Sequence, residues 1–341
     1  MEELLKILIY FDVFSYPLTA DELFRYAGVN NHKREGLEKE LHGLVRKGLI
    51  NEHTGYFYIG EKKDTVRRRK EGNRRAINRM KSARRYSRII ANFPYVRGVS
   101  ISGSISKGYA AEDDDIDYFI VTSPGRLWLT RSLLILFKKL FLGNSYRNFC
   151  VNYFVDTNHL RIPQQNRFTA TEIAFLLPTF NSDIHKSIMD ANTWIKSYYP
   201  GFSENGEPVN NKTSALKVLF EKILNNGLGD RLEKKLFKLS GRIIRTKYRH
   251  MDDNKFAGSF SIKPHELKYL PNHQQYRIMK SYYQKLALFE LQNGFDLINH
   301  QSRLQLSVSR PQSPLSRYQK DKTGYNSVPI RYKTRKRQAV F

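Results

Sequence analysis

Two carboxylates, Asp115 and Asp117, flank an isoleucine at the head of the apolar run Tyr118-Phe119-Ile120-Val121. In a strand, residues two apart share a face, so these carboxylates project together while Ile116 and Tyr118 turn the other way. Such a pair suits a hard divalent cation. Magnesium takes one or two carboxylates and completes its shell with substrate phosphates rather than with a closed protein cage. Upstream, a strand-like run turns at Gly103-Ser104, a pair small enough for backbone N–H groups and a hydroxyl to approach a phosphate closely. Residues 99 to 122 therefore read as a hairpin that joins a phosphate clamp to a metal clamp.

The elements around the hairpin follow from periodicity and punctuation. Residues 1 to 60 read as three helices and a two-stranded wing, in the order of a winged helix-turn-helix. Thr19 and Glu22 form a capping box, Gly28 ends the second helix, and Leu37, Leu41 and Leu44 give the third an apolar face. Residues 61 to 92 form a basic connecting helix with a thin apolar stripe that stops at Phe93-Pro94. Its charge run is either a solvated face or a guide for a polyanionic acceptor. Residues 93 to 200 hold the hairpin, a buried helix at 127 to 142, a strand at 149 to 155, and helices at 169 to 177 and 184 to 198. Residues 201 to 300 read as a loop followed by a C-terminal helical region, and residues 301 to 341 as a basic disordered tail ending in Arg335-Lys336-Arg337.

Composition narrows the function. A formal charge of +26 points to an anionic partner, whether nucleic acid, nucleotide phosphate or an acidic lipid surface, with a merely basic tail as the plain alternative. The lone Cys150 excludes an intramolecular disulfide framework or a cysteine zinc site, and fits a reducing cytoplasm. Glu2 and Glu3 stand where a secretory signal has a basic segment. The apolar stretch at 127 to 142 is too short and too charged to span a bilayer. No P-loop sequence occurs, and the acidic run at 113 to 117 lacks the glycine and distal glutamate of an EF-hand loop. The D-x-D pair also occurs in sugar-nucleotide glycosyltransferases, but no nucleotide-binding βα repeat precedes it here.

Gly103-Ser104, ten residues, then Asp115-Ile116-Asp117 between apolar runs resembles the signature of the DNA polymerase beta-like nucleotidyltransferase superfamily. The tract Ser104 to Gly108, with Lys107 before the glycine, is similar to the minimal nucleotidyltransferases. Thr169-Ala-Thr-Glu-Ile173, Leu177-Pro178 and Asn192-Thr-Trp194 resemble uncharacterised bacterial proteins that place a winged helix ahead of this domain. The resemblance implies an α+β fold, with a short mixed sheet and helices flanked by the winged helix and the C-terminal helical region. It also implies transfer of a nucleoside monophosphate from an NTP to an acceptor. Gly103, Ser104 and Lys107 would bind the nucleotide phosphates, and Asp115 and Asp117 would bind Mg2+ or Mn2+. Nucleic acid or another polyanion would be recognised through the winged helix, residues 61 to 92 and the tail.

The family adds a third carboxylate on a following strand. Here Asn152 stands at that strand's centre, and an amide can ligate magnesium but cannot act as a base. Asp156 at the strand end is the tentative substitute, with Glu172 on the next helix behind it. A regulator that binds nucleotide or nucleic acid without catalysis is therefore the alternative expectation.

Overall fold

The computed structural model describes residues 1–28, 34–60, 64–145, 147–202, 209 and 213–298. The described residues fall into two units: Met1–Arg67 together with residues 278–298, and Arg68–Arg277.

In the first unit, helix α1 (Glu2–Asp12), strand β1 (Leu18–Thr19), helices α2 (Ala20–Ala27) and α3 (Arg34–Arg46), and the hairpin β2 (Asn51–His53) and β3 (Tyr56–Tyr58) follow one another. The capping box forms at Thr19: its hydroxyl accepts the Glu22 N–H at 3.2 Å, and the Glu22 carboxylate accepts the Thr19 N–H at 3.0 Å. The wing gains a strand, because Leu18 and Thr19 pair with Phe57 and Tyr56 to give the order β1-β3-β2. Two residues are too few to show a period.

Residues 1–60 do not make this unit alone. The helix at 274–293, expected in the C-terminal region, contributes its later turns to it. Ile278, Tyr282, Leu286 and Phe289 keep helical spacing and are buried, with Tyr282 edge-on to Tyr10 at 5.4 Å and Lys285 paired with Asp12.

The second unit starts within α4 (Asp64–Ala91) and continues through β4 (Val96–Ser102), α5 (Gly103–Ser106), β5 (Asp117–Thr122), α6 (Leu127–Phe141) and β6 (Cys150–Asp156). It goes on through α7 (Arg167–Ala174), β7 (Leu177–Phe180), α8 (Ser182–Ala191), a 3-10 turn (Thr193–Ser197), α9 (Ala215–Leu224), α10 (Gly227–Lys247), α11 (Asp253–Ser259), β8 (Phe260–Lys263) and β9 (Glu266–Tyr269) into α12 (Gln274–Asn293). Its six strands form one mixed sheet in the order β7-β4-β5-β6-β9-β8. β5 and β6 are its parallel pair, and α6 supplies the crossover that parallel strands require. Tyr118, Ile120, Trp128, Phe149 and Phe154 lie in the core between sheet and helices. The fold is thus α+β.

Three expectations change. Residues 260 to 269, read as part of a helical region, form the β8–β9 hairpin that extends the sheet beyond β6. Phe260, Ile262, Leu267 and Tyr269 alternate with polar residues around Pro264-His265, the period of a strand. Pro178 does not merely stop a helix: it sits opposite Ser100 on β7, an edge strand, where proline is tolerated. The helix expected at 184 to 198 breaks at Asn192, whose buried amide accepts the Ile162 N–H and donates to Leu160 and Ile188 carbonyls. Among the described residues no helix is long and apolar enough to cross a membrane. The basic tail and most of the loop at 201 to 213 lie outside the described residues.

His185 on α8 is 8% exposed, and no hydrogen-bond partner meets its Nδ1 among the described residues. Burial lowers its pKa from 6.5 to about 4. Between those values the unfolded chain takes up a proton that the folded protein refuses, so stability is complete above 6.5 and falls as pH drops towards 4. We expect this group to remove roughly 3 kcal/mol across that window. Urea unfolding of wild type and His185→Leu at both ends of the window measures it; equal slopes in the two proteins would assign the acid sensitivity elsewhere.

Candidate functional site

The end of β4 meets the start of β5 with Ser102 opposite Asp117. The next residue, Gly103, has φ +69°, and a Cβ built there would stand 2.4 Å from Asp117 Oδ2. Glycine is required twice over, by its left-handed backbone and by the carboxylate against it. Asp115 precedes the strand rather than lying in it, yet its charge is the one that acts most on Asp117. Burial, then Asp115, then Glu172 raise the Asp117 pKa from 3.8 to about 7. Burial also raises that of Asp115, against the opposing field of Arg79.

The other predicted residues fall into two groups. Ser104 and Lys107 join the site. Ser104 Oγ donates to Asp114 Oδ2 at 2.8 Å, and Lys107 Nζ donates to the Gly103 carbonyl at 2.9 Å and to Glu172 Oε1 at 3.0 Å. Asn152 joins it too: a register shift between Tyr118 and Phe119 leaves it as the extra residue on β6, and its amide donates to Asp117 Oδ1 at 2.5 Å. Asp156 does not. It pairs with Thr122 at the far end of the β5–β6 ladder, about 20 Å along the strand from Cys150 opposite Asp117. There it is buried, accepting the Asn158 N–H at 3.0 Å and pairing with His159 at 2.6 Å, so it holds a turn. Of the two carboxylates considered for a third position, Glu172 is the one whose charge acts on Asp117.

Three contributors were not legible as site residues. Asp114, in the acidic run at 113 to 117, is 7% exposed and ties the Ser104 hydroxyl to the Ala111 N–H, 2.8 Å from each. Helix α4 holds the same loop from the side: Gly72 O accepts the Ala110 N–H at 3.1 Å, and Arg75 Nε donates to the Ala110 carbonyl at 2.8 Å. Arg79 bridges the Asp114 carbonyl and, at 2.9 Å, the Arg147 carbonyl. A Cβ at Gly72 would stand 2.1 Å from the Tyr109 ring. The signal for this packing is a glycine inside a long charged helix, a residue costly there unless another chain segment comes close. Lys138, the third, is buried on α6 beside Cys150 and Asp115, and burial lowers its pKa to about 8.

The locus thus gathers Asp114, Asp115, Asp117 and Glu172 with Lys107, Lys138 and Arg79 around one small turn. Among the described residues no group of three or more His, Cys, Asp or Glu side chains is arranged to hold a metal ion by itself.

Gly103→Ala is expected to lose about 1–3 kcal/mol of stability, because the methyl group must displace the Asp117 carboxylate in a strained backbone. Pairing it with Asp117→Gly, which removes that carboxylate, should recover part of the loss; full additivity in urea unfolding would contradict the contact. Comparison with known proteins finds no matching family model, and no match among curated proteins or solved structures.

Proposed function

We propose that the chain is a metal-dependent nucleotidyltransferase of the polymerase-beta type, which moves a nucleoside monophosphate from an NTP to an acceptor. The observation that carries this reading is the side-chain-free approach of the Gly103 turn to the Asp117 carboxylate, with Asp115, Ser104 and Lys107 beside it. Phosphoryl-group chemistry depends mainly on positioning and charge neutralisation, and a turn of this kind brings phosphate oxygens and carboxylates to one place.

Asp115 and Asp117 fit a divalent cation by the chemistry of their donor set. They are two carboxylates, half out of water, one raising the other's pKa, and a cation relieves that arrangement. Magnesium or manganese held by them would neutralise charge on the reacting phosphate and on the entering and leaving oxygens. The chain's own residues do the remaining work. Gly103 leaves room for the triphosphate, Lys107 offers its ammonium under the orientation of Glu172, and Arg79 fixes the carbonyls of the acidic loop. Ser104 Oγ has one proton, now committed to Asp114, so it donates to a phosphate only by exchanging that partner. The winged helix and exposed basic surfaces serve the acceptor.

A second reading, nucleotide or nucleic-acid binding without transfer, draws on Asn152. Its amide occupies Asp117 Oδ1 at the position where the family's third acid is expected, and it cannot take a proton from an acceptor hydroxyl.

Incubation of the protein with each labelled NTP, magnesium or manganese, and cellular RNA, protein and metabolite fractions tests both readings. Label is expected in one fraction and to fall at least about a hundredfold in Asp115→Asn and Asp117→Asn. Asn152→Asp, which returns a carboxylate to the site, should tighten manganese binding. Saturable nucleotide binding with no transfer to any fraction selects the second reading.

A further inference from the structure

Helix α9 is built inside out. Lys217, 2% exposed, points inward and donates through Nζ to the Ala91 carbonyl at 3.0 Å and the Val96 carbonyl at 2.5 Å. One turn on, Glu221 also points inward, pairing with both nitrogens of the Arg97 fork at 2.9 and 2.8 Å and accepting the Tyr95 N–H at 2.6 Å. These two charged residues are thereby consumed by the protein, while Lys222 and the large apolar residues face away. Leu216, Leu219, Phe220 and Ile223, spaced as one helical face, are 67%, 52%, 51% and 55% exposed. A helix that faced only water would place these two sets the other way round.

Two residues after α9 ends, α10 begins, and its outer side is a cationic stripe. Arg231, Lys234, Lys235, Lys238, Arg242 and Arg245 recur at three- and four-residue spacing and are all exposed. The acids of α10 do not neutralise them. Asp230 pairs with Arg126 at 2.7 Å, and Glu233 is buried, accepting the Trp128 and Leu129 N–H groups at 2.9 and 2.7 Å. Leu228 and Leu239, 57% and 52% exposed, add apolar side chains along α10.

We propose that α9 and the outer face of α10 form a docking surface for an anionic phospholipid bilayer. The α9 side chains would enter the headgroup and acyl boundary while the α10 cations meet the lipid phosphates. An aliphatic helical face bordered by lysine and arginine is what an interfacial helix requires. Of the exposed large apolar residues of α9, Leu216, Val218, Leu219 and Ile223 are aliphatic and offer no ring on which a nucleobase stacks, so nucleic acid accounts for the stripe but not for the helix. A second copy would cover the helix but bring a like stripe against the first, in a chain already carrying +26. An anionic bilayer satisfies both features, and the proposal stands independently of the nucleotidyltransferase reading.

The test uses the full chain with vesicles of phosphatidylcholine alone, or of equal parts phosphatidylcholine and phosphatidylglycerol. Flotation with the anionic vesicles is expected, and it should weaken at least about tenfold in Leu219→Gln/Ile223→Gln and, separately, in Lys234→Glu/Lys238→Glu. All four positions are exposed, so circular dichroism and the unfolding midpoint should match wild type. Phe220→Trp gives a direct readout, because its emission should shift to the blue on vesicle addition. Three results overturn the proposal: anionic-vesicle binding that Leu219→Gln/Ile223→Gln leaves unchanged, which assigns it to basic segments alone; Phe220→Trp emission that does not move; or a dimer in solution that the α9 variant dissociates. Loss of RNA binding in Lys234→Glu/Lys238→Glu, without vesicle binding by wild type, would assign the stripe to nucleic acid instead.

Discussion

The second unit depends on one close approach, the backbone of Gly103 against the carboxylate of Asp117 where β4 and β5 come together. A charged group half out of water is costly, and the cost is greater with Asp115 and Glu172 near. Among the described residues no direct ion pair to Asp117 cancels that charge. The surrounding chain directs its cations elsewhere: Lys107 to Glu172 and the Gly103 carbonyl, Arg79 to two loop carbonyls, and Asn152 rather than a cation to Asp117 itself. The outcome is a negative centre fixed in place by neighbours that leave part of its charge unmatched, which is the electrostatic condition for holding an external cation.

The same economy explains where the positive charge goes. A net +26 invites the thought that every basic residue faces an anion in solution, yet Arg75 and Arg79 serve as hydrogen-bond donors to a loop and Lys217 as a donor to two buried carbonyls. Arg69, within the basic run of α4, is buried, and its desolvation lowers its pKa to about 9. Outside, exposed cations line α4 and α10, with others such as Lys47, Lys186 and Lys280 scattered over the remaining elements. Net charge describes the partner's sign; only burial tells which cations are free to meet it.

Local signals in the sequence were reliable where one stretch of chain satisfies its own groups. The Thr19–Glu22 box, the Gly28 stop, the helix α6 and the hairpin that carries Gly103 and Asp117 form where pattern and punctuation put them, although Leu136, Leu140 and Phe141 of α6 are exposed and Asp115 precedes its strand. Signals failed where the decisive partner is remote. Two four-residue strands after α11 could not be recognised as the edge of the sheet without β6 beside them, and the stripe Ile278, Tyr282, Leu286 and Phe289 does not say that it completes the first unit.

The site divides along the same line. Amino-acid types and spacing by themselves determined that a Gly-Ser turn and a D-x-D pair lie at the facing ends of neighbouring strands, because both belong to one hairpin whose geometry is local. Only the tertiary structure decided that Asp156 is a strand length away, that Asp114 is a buried anchor for Ser104, and that Glu172 and Asn152 are the groups addressing Asp117. Those relations rest on a parallel register with one extra residue on β6 and on a helix returning to the sheet. Long-range pairing of this kind is set by the packing of the whole core rather than by any window of residues.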